Sequence, residues 1–377
     1  MITEVAPELV IQFDFYTTVN YYMRSTDKNQ RALLILLALG LSCGLLILLG
    51  VAWGMVGIWL RWSGILLPVT KLVTPPTLPS LITPVLVETL SPTQTVSQVS
   101  PTPNELSWPH QTEGTIVFTC FIDGFDEICL MDASNDQVQR LTYEQATDFY
   151  PSLSPSGDTV VFSSRRDGRF EIYSMDLTGG NQVRLTEGLG SLFAPAVSPD
   201  GHKIIFTNAL GGHQAIWIMN RDGSDPQPLT YGTRDDIDPT WSPDGGQIAF
   251  ASNRGGSRQL YIMEADGDEI RQVTQGILHI GGRNDWSPDG SALAFYAGPR
   301  GDRNIYLVDI EGGYLQQLTD GGDNLAPSFS PDGQWVAFTS FRDGNNEIFI
   351  IRVDGSEIIR LTHNMRSDWQ PRWGPNK

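Results

Sequence analysis

Three residues before a recurring proline stand Asp148, Asp236, Asn324 and Asp368, and two further copies of the pattern carry Leu192 and Gly281 at that place. Carboxylates and an amide contributed by separate segments to one spot are ligands for a cation, whether a metal ion such as calcium or a cationic group of a small molecule. The same side chains have a second use. An Asp can cap its own turn by accepting a backbone N–H, and recurrence in a repeat is what that structural role requires.

The other reactive side chains form no known constellation. His110, His202, His213, His279 and His363 are scattered, without metal-ligand spacing. No Gly-x-Ser-x-Gly elbow occurs, and the Asp-Gly pairs lack the 12-residue spacing and closing Glu of a calcium loop. Arg300-Gly301-Asp302 falls where sister segments read Arg-Asp-Gly or Arg-Gly-Gly, so it reads as drift of a repeated loop. No catalytic residue, no metal-ligand set and no cofactor is expected. A bound cation such as calcium stays open without a motif that calls for it.

What must position the four candidates is a repeat. Ser-Pro-Asp-Gly occurs at Ser198, Ser242, Ser287 and Ser330, with looser copies at Ser154 and Gly374, all 43 to 45 residues apart. Each turn is followed by an apolar strand, B, as in Lys203 to Asn208, Gln247 to Ser252 and Trp335 to Ser340; Thr115 to Cys120 is a sixth of its kind. A polar loop leads to strand C, at Glu127, Glu171, Ala215, Gln259, Asn304 and Glu347 onwards. A Gly or Asp turn then leads to strand D, expected to end in Leu-Thr or Val-Thr, as at Leu141-Thr142 and Val273-Thr274. The segment before the next tetrapeptide supplies strand A. Four-stranded sheets repeated around an axis cover one another's faces. The last A strand, near Gln370 to Trp373, has no B strand after it, and the first B-C-D set has a poor A strand before it. The ring is therefore expected to close by the C-terminal strand completing the first blade, rather than by a rival strand at Glu105 to Trp108: an all-β, six-bladed β-propeller over 105–377.

The pattern Asp-x-x-Pro-x-Trp-Ser-Pro-Asp-Gly, strand, Arg-Asp-Gly, Glu-Ile-Tyr-x-Met-Asp, Leu-Thr resembles the TolB-like, or WD40-like PD40, propeller repeats. The resemblance covers roughly residues 105 to 377. It implies an extracytoplasmic bacterial propeller used as a binding scaffold. The family's namesake carries an α/β domain before its propeller, to which nothing here corresponds, so a role in the Tol system is not carried over.

Residues 1–31 read as a short cytoplasmic tail. From Ala32 to Leu60 there is no charge, which exceeds the roughly 20 residues that cross a bilayer and is too long for a cleaved signal. A single transmembrane helix over 32–60 is expected, with Tyr21 and Tyr22 before one end and Trp53, Trp59 and Trp62 towards the other. Arg24, Lys28 and Arg31 place its N-terminus inside. Residues 61–104 are a linker rich in Pro, Thr and Ser, an extended stalk that would hold the propeller outside the cell.

Five acids and five bases balance before residue 105, so the formal net charge of −18 lies in the propeller. That excludes nucleic acid and anionic lipid as partners of the propeller. Cys120 and Cys129 are diagonal across the first B-C hairpin, an awkward geometry for a bridge, and two free thiols are expected. Two functions follow: a membrane-tethered, extracytoplasmic, non-catalytic scaffold for a protein or envelope component, or a small-ligand or cation-binding propeller, receptor or enzyme, using the acidic channel mouth. A scaffold should expose an apolar or aromatic patch on a loop face.

Overall fold

The computed structural model describes residues 112–135 and 137–376. Within them 24 strands form six antiparallel four-stranded sheets. Blade 1 runs β24 (Asp368–Gly374), β1 (Thr115–Ile122), β2 (Phe125–Asp132) and β3 (Val138–Arg140), so the C-terminal strand closes the ring as its innermost member. The inner strands of blades 2 to 6 are β4 (Asp148–Leu153), β8 (Ser191–Val197), β12 (Asp236–Trp241), β16 (Asn284–Trp286) and β20 (Asn324–Phe329). Each is followed outwards by its B, C and short D strands. The expected span at 32–60, the flanking 1–31 and 61–104, and the rival strand at 105–108 lie outside the described residues. No helix among the described residues is long and apolar enough to cross a membrane.

The core is a belt of six phenylalanines. Phe118, Phe162, Phe206, Phe250, Phe295 and Phe338 occupy the same place in strand B of successive blades, and all are fully buried. In blades 2 to 6 each pairs across the ladder with an aromatic of strand C: Tyr173, Trp217, Tyr261, Tyr306 and Phe349. Ring centroids lie 5.5 to 6.4 Å apart. Such pairs add to area burial through their quadrupoles.

In blade 1 the aromatic partner is replaced by Cys129, and here the expectation of free thiols fails: Cys120 and Cys129 form a disulfide. The register is as expected, with Cys120 opposite Glu127 and Cys129 opposite Phe118. The right-handed twist of the ladder shortens one diagonal, and the two Cα atoms stand 5.9 Å apart, within bridging range.

The Leu-Thr pairs lie just beyond strand D instead of ending it. Leu141 N–H still donates to Ile128 O at 2.8 Å, but the Thr142 hydroxyl then replaces the backbone, accepting from Ile128 N–H at 2.9 Å. The same substitution recurs at Thr186, Thr230, Thr274, Thr319 and Thr362. It satisfies a buried N–H where the ladder ends. Replacing Phe250 by Ala is expected to cost about 3–5 kcal/mol of unfolding free energy, measured by urea titration, because the closed ring cannot collapse onto the cavity.

Candidate functional site

The four residues singled out from sequence begin the inner strands, at the face that carries the D-to-A and B-to-C loops. Asp148, Asp236, Asn324 and Asp368 are all buried. No hydrogen bond or ion pair among the described residues links any one of them to another: Asp148 and Asp236 pair within their own blades, while Asn324 donates to Arg303 O, Asn304, Thr319 and Gly321 O of the preceding blade and its loop. Asp148 meets Arg166 at 2.8 Å, Asp236 meets Arg254 at 2.9 Å, and Asn324 Oδ1 accepts from Arg342 at 3.3 Å. The arginine is held twice more. Its Nε–H donates to the last Ser of strand B, as Arg166 to Ser164, Arg254 to Ser252 and Arg342 to Ser340. Its guanidinium lies over the aromatic pair, 4.7 Å from Tyr173, 5.1 Å from Phe250 and 4.8 Å from Phe349. Acid and base are lost together elsewhere: blade 3 has Leu192 with Leu210, and blade 5 has Gly281 with Pro299.

Asp368 is the exception, since Ile122 stands where the arginine would be. Asn364 donates to its carboxylate at 2.5 Å, and Glu347 of blade 6 is close. Burial, only partly offset by that hydrogen bond, pushes Asp368 up to about 7. Burial likewise lifts Glu127 to about 7 against hydrogen bonding from Thr142, and raises Asp148 against Ser164 and Arg166. Among the described residues no three His, Cys, Asp or Glu side chains gather so as to hold a metal ion.

The residues that face the channel are two places further on. In five blades the inner strand breaks register once. The residue before the proline (Tyr150, Ala194, Asp238, Ala326 or Gln370) has φ between 50 and 57°. In three of the five, the N–H taken out of the ladder finds an acceptor in the preceding blade: Asp238 N–H donates to Thr207 Oγ1 and Gln370 N–H to Thr339 Oγ1, both at 2.9 Å, and Tyr150 N–H to Gln370 Oε1 at 3.2 Å.

Blade 5 does otherwise. It reads Gly281-Gly282-Arg283-Asn284, without the proline and without the register break. Both glycines are required by close approach, because a Cβ on Gly281 would sit 1.8 Å from the Tyr296 ring and one on Gly282 1.8 Å from Asp238 Oδ2. Arg283 is thereby brought over Tyr150, 5.1 Å from its ring. Burial first and Arg372 second pull Arg283 down to about 9. Burial raises Asp238, offset by Arg283, Arg372 and Arg258, and it holds the Tyr150 hydroxyl well above its usual range. A second layer lies two residues deeper, where Arg372 pairs with Asp285 at 2.9 Å and Asp285 accepts from Ser328.

Above this channel the same loop face is apolar and aromatic. Phe149, Tyr150, Phe170 and Phe193 form a half-buried cluster, with centroids 4.6 Å apart for Phe149 and Phe170 and 5.2 Å for Phe170 and Phe193. Beside it a cavity of about 390 Å³ is bordered by Phe149, Tyr150, Phe193, Gln214, Ile237 and Asp238. On the same face Tyr143, Tyr231, Leu278, Phe341 and Met365 are exposed on D-to-A and B-to-C loops, Met365 completely, and Leu210 is exposed at the end of its B strand.

Sequence reading placed the candidates on the correct strands and missed the channel residues. The available signal was the one copy that loses the proline of the repeat, Gly281-Gly282-Arg283-Asn284, since a repeat that abandons its own consensus gives up a structural role for another.

Fold and channel together define a six-bladed β-propeller whose polar and aromatic features gather on one loop face and in the channel beneath it. The chain belongs to the TolB beta propeller domain (PD40) family, which matches residues 187–282 and 277–377, together just over half of its length. TolB from Acinetobacter baumannii is similar, 25% identical with a TM-score of 0.62 over 70% of this chain and 67% of that one. A putative TolB from Agrobacterium tumefaciens is 20% identical, with a TM-score of 0.55 over 70% of this chain and 99% of that one. A chain of a nidogen/laminin complex shares the fold alone, at 13% identity and a TM-score of 0.57 over 69% and 98%. No curated protein matches the sequence.

Two outcomes test the buried charges. Arg254→Leu should lower stability by on the order of 3 kcal/mol by stranding Asp236, and Asp236→Leu added to it should recover most of the loss, as Leu192 and Leu210 do in blade 3. Because Asp368 is raised above its unfolded value, its contribution is fully present at low pH and is lost as pH rises through about 7. Urea midpoints of Asp368→Asn should therefore fall less between about pH 5 and 8 than those of the unaltered protein; equal slopes would contradict the assignment.

Proposed function

We propose that this protein is a membrane-tethered, extracytoplasmic propeller that docks a protein or envelope component on its D-to-A and B-to-C loop face, without catalysing a reaction. The observation that carries the reading is the half-buried aromatic cluster beside a cavity on that face. Exposed apolar surface marks interaction sites, and aromatic anchors in pockets dominate their energetics. The opposite face is built from Ser-Pro-Asp-Gly turns whose polar atoms satisfy one another, as where Ser242 Oγ–H donates to Asp244 and Asp244 accepts from Gly246 N–H.

Family membership supports a binding role for the propeller. The Cys120–Cys129 bridge supports an oxidising compartment. The tether rests on the uncharged run 32–60, with 1–31 inside and the stalk 61–104 lifting residues 105–377 from the bilayer. Asp148, Asp236, Asn324 and Asp368 act in this reading by setting the loops of the docking face.

The test places a photo-crosslinking amino acid at Tyr231, on the proposed face, or at Tyr314, exposed on the opposite one. In native membranes a defined adduct is expected from position 231 and not from 314, and a chain lacking residues 1–60 should leave the membrane fraction. Equal adducts from both positions would remove the face assignment.

A further inference from the structure

Beneath the docking face the channel holds a guanidinium whose binding edge is unused. Arg283 is only 4% exposed, yet its Nε–H and Nη2–H meet no hydrogen-bond acceptor among the described residues. These two donors point the same way. They form the parallel fork that matches the two oxygens of a carboxylate. A buried, charged donor left unpaired is costly, and native structures keep such groups where they have a use.

The surroundings select the ligand's charge and shape. Arg258, Arg283 and Arg372 act on Asp238, and Asp285 acts on Arg283, so three cations face two anions in one electrostatic neighbourhood. Arg372 is already engaged, by Asp285 at 2.9 Å and by Asn284 O at 3.0 Å. One positive charge is left over, which suits a monoanion better than a dianion. Tyr150 presents a ring face under Arg283, and Tyr150 and Asp238 also border the cavity of about 390 Å³. Gly281 and Gly282 keep the opposite wall thin enough for Tyr296 and Asp238 to pack against it.

We propose that the channel is a carboxylate-binding site, in which Arg283 Nε–H and Nη2–H donate to the two oxygens of a monocarboxylate whose apolar body lies against Tyr150. The carboxylate belongs either to a free small acid or to the end of a polypeptide. The site shares the cavity of the docking face, and its test does not require a partner on that face.

Calorimetric titration of the full chain in detergent micelles tests this with four probes: benzoate, Gly-Gly-Phe with a free C-terminus, the same tripeptide amidated, and inorganic phosphate. Saturable binding of benzoate or the free-acid tripeptide is expected, with the amide and phosphate weaker by roughly tenfold or more. Tighter binding of the tripeptide assigns a chain terminus, and tighter binding of benzoate a free acid. Arg283→Gln should weaken binding roughly tenfold or more, and Arg283→Lys, which keeps the charge without the parallel fork, should also weaken it. If the Gln variant loses its near-UV circular dichroism, the Lys variant and the amide comparison carry the test. No saturable carboxylate binding, phosphate as the tightest probe, or affinity unchanged in the folded variants would overturn the proposal. Crosslinking from the loop face would stand or fall separately.

Discussion

The channel depends on one backbone event, the single register break in the inner strand of five blades. A strand alternates its side chains between two faces of a sheet, so an unbroken inner strand would send every second residue into the neighbouring blade. The left-handed residue before the proline interrupts that alternation and aims one side chain per blade at the axis. At Tyr150, Asp238 and Gln370 the displaced N–H is taken up by a hydroxyl or amide of the preceding blade, which ties those blades together. Blade 5 reaches the same place without the break, by two glycines that let Tyr296 and Asp238 close in. It thereby delivers Arg283, a buried cation whose Nε–H and Nη2–H meet no acceptor among the described residues.

Around the axis, stability and binding are divided between different residues of the same motif. In blades 2, 4 and 6 the Asp or Asn that starts the inner strand is joined to an arginine, the arginine to a Ser and to aromatic rings, and the rings to the phenylalanine belt. The chain keeps this set whole or drops the acid and base together, as blade 3 shows with Leu192 and Leu210. Blade 1 departs differently: its disulfide replaces the aromatic partner, and Asp368 has Asn364 and a neighbouring Glu347 in place of a paired arginine.

Much of the fold was legible in the sequence because it is periodic. Turn tetrapeptides in the forties, one phenylalanine per B strand and an A strand left over at the C-terminus are enough to close a six-bladed ring. The Cys120–Cys129 bridge was not legible, since pairing order gives the diagonal and the twist decides its length. The candidate site was legible in part. Asp148, Asp236, Asn324 and Asp368 are recognisable as recurrent and buried, but their partners lie in loops 18 residues away in three blades, at Arg166, Arg254 and Arg342. Tyr150, Asp238, Arg283 and Gln370 share no residue type, so no pattern search gathers them. Only the strand geometry does.

A propeller with a self-satisfied turn face, an apolar loop face and a carboxylate-sized charge in the channel between them is suited to hold a partner from one side. The formal net charge of −18 disfavours nucleic acid and anionic lipid as partners. The most direct measurement is hydrogen exchange on the full chain, compared between native membranes and purified micelles. Slowed exchange confined to the D-to-A and B-to-C loops, including the segments around Tyr143, Tyr231, Leu278 and Met365, is the expected result. Protection of the Ser-Pro-Asp-Gly turns instead, or no difference on either face, would contradict it.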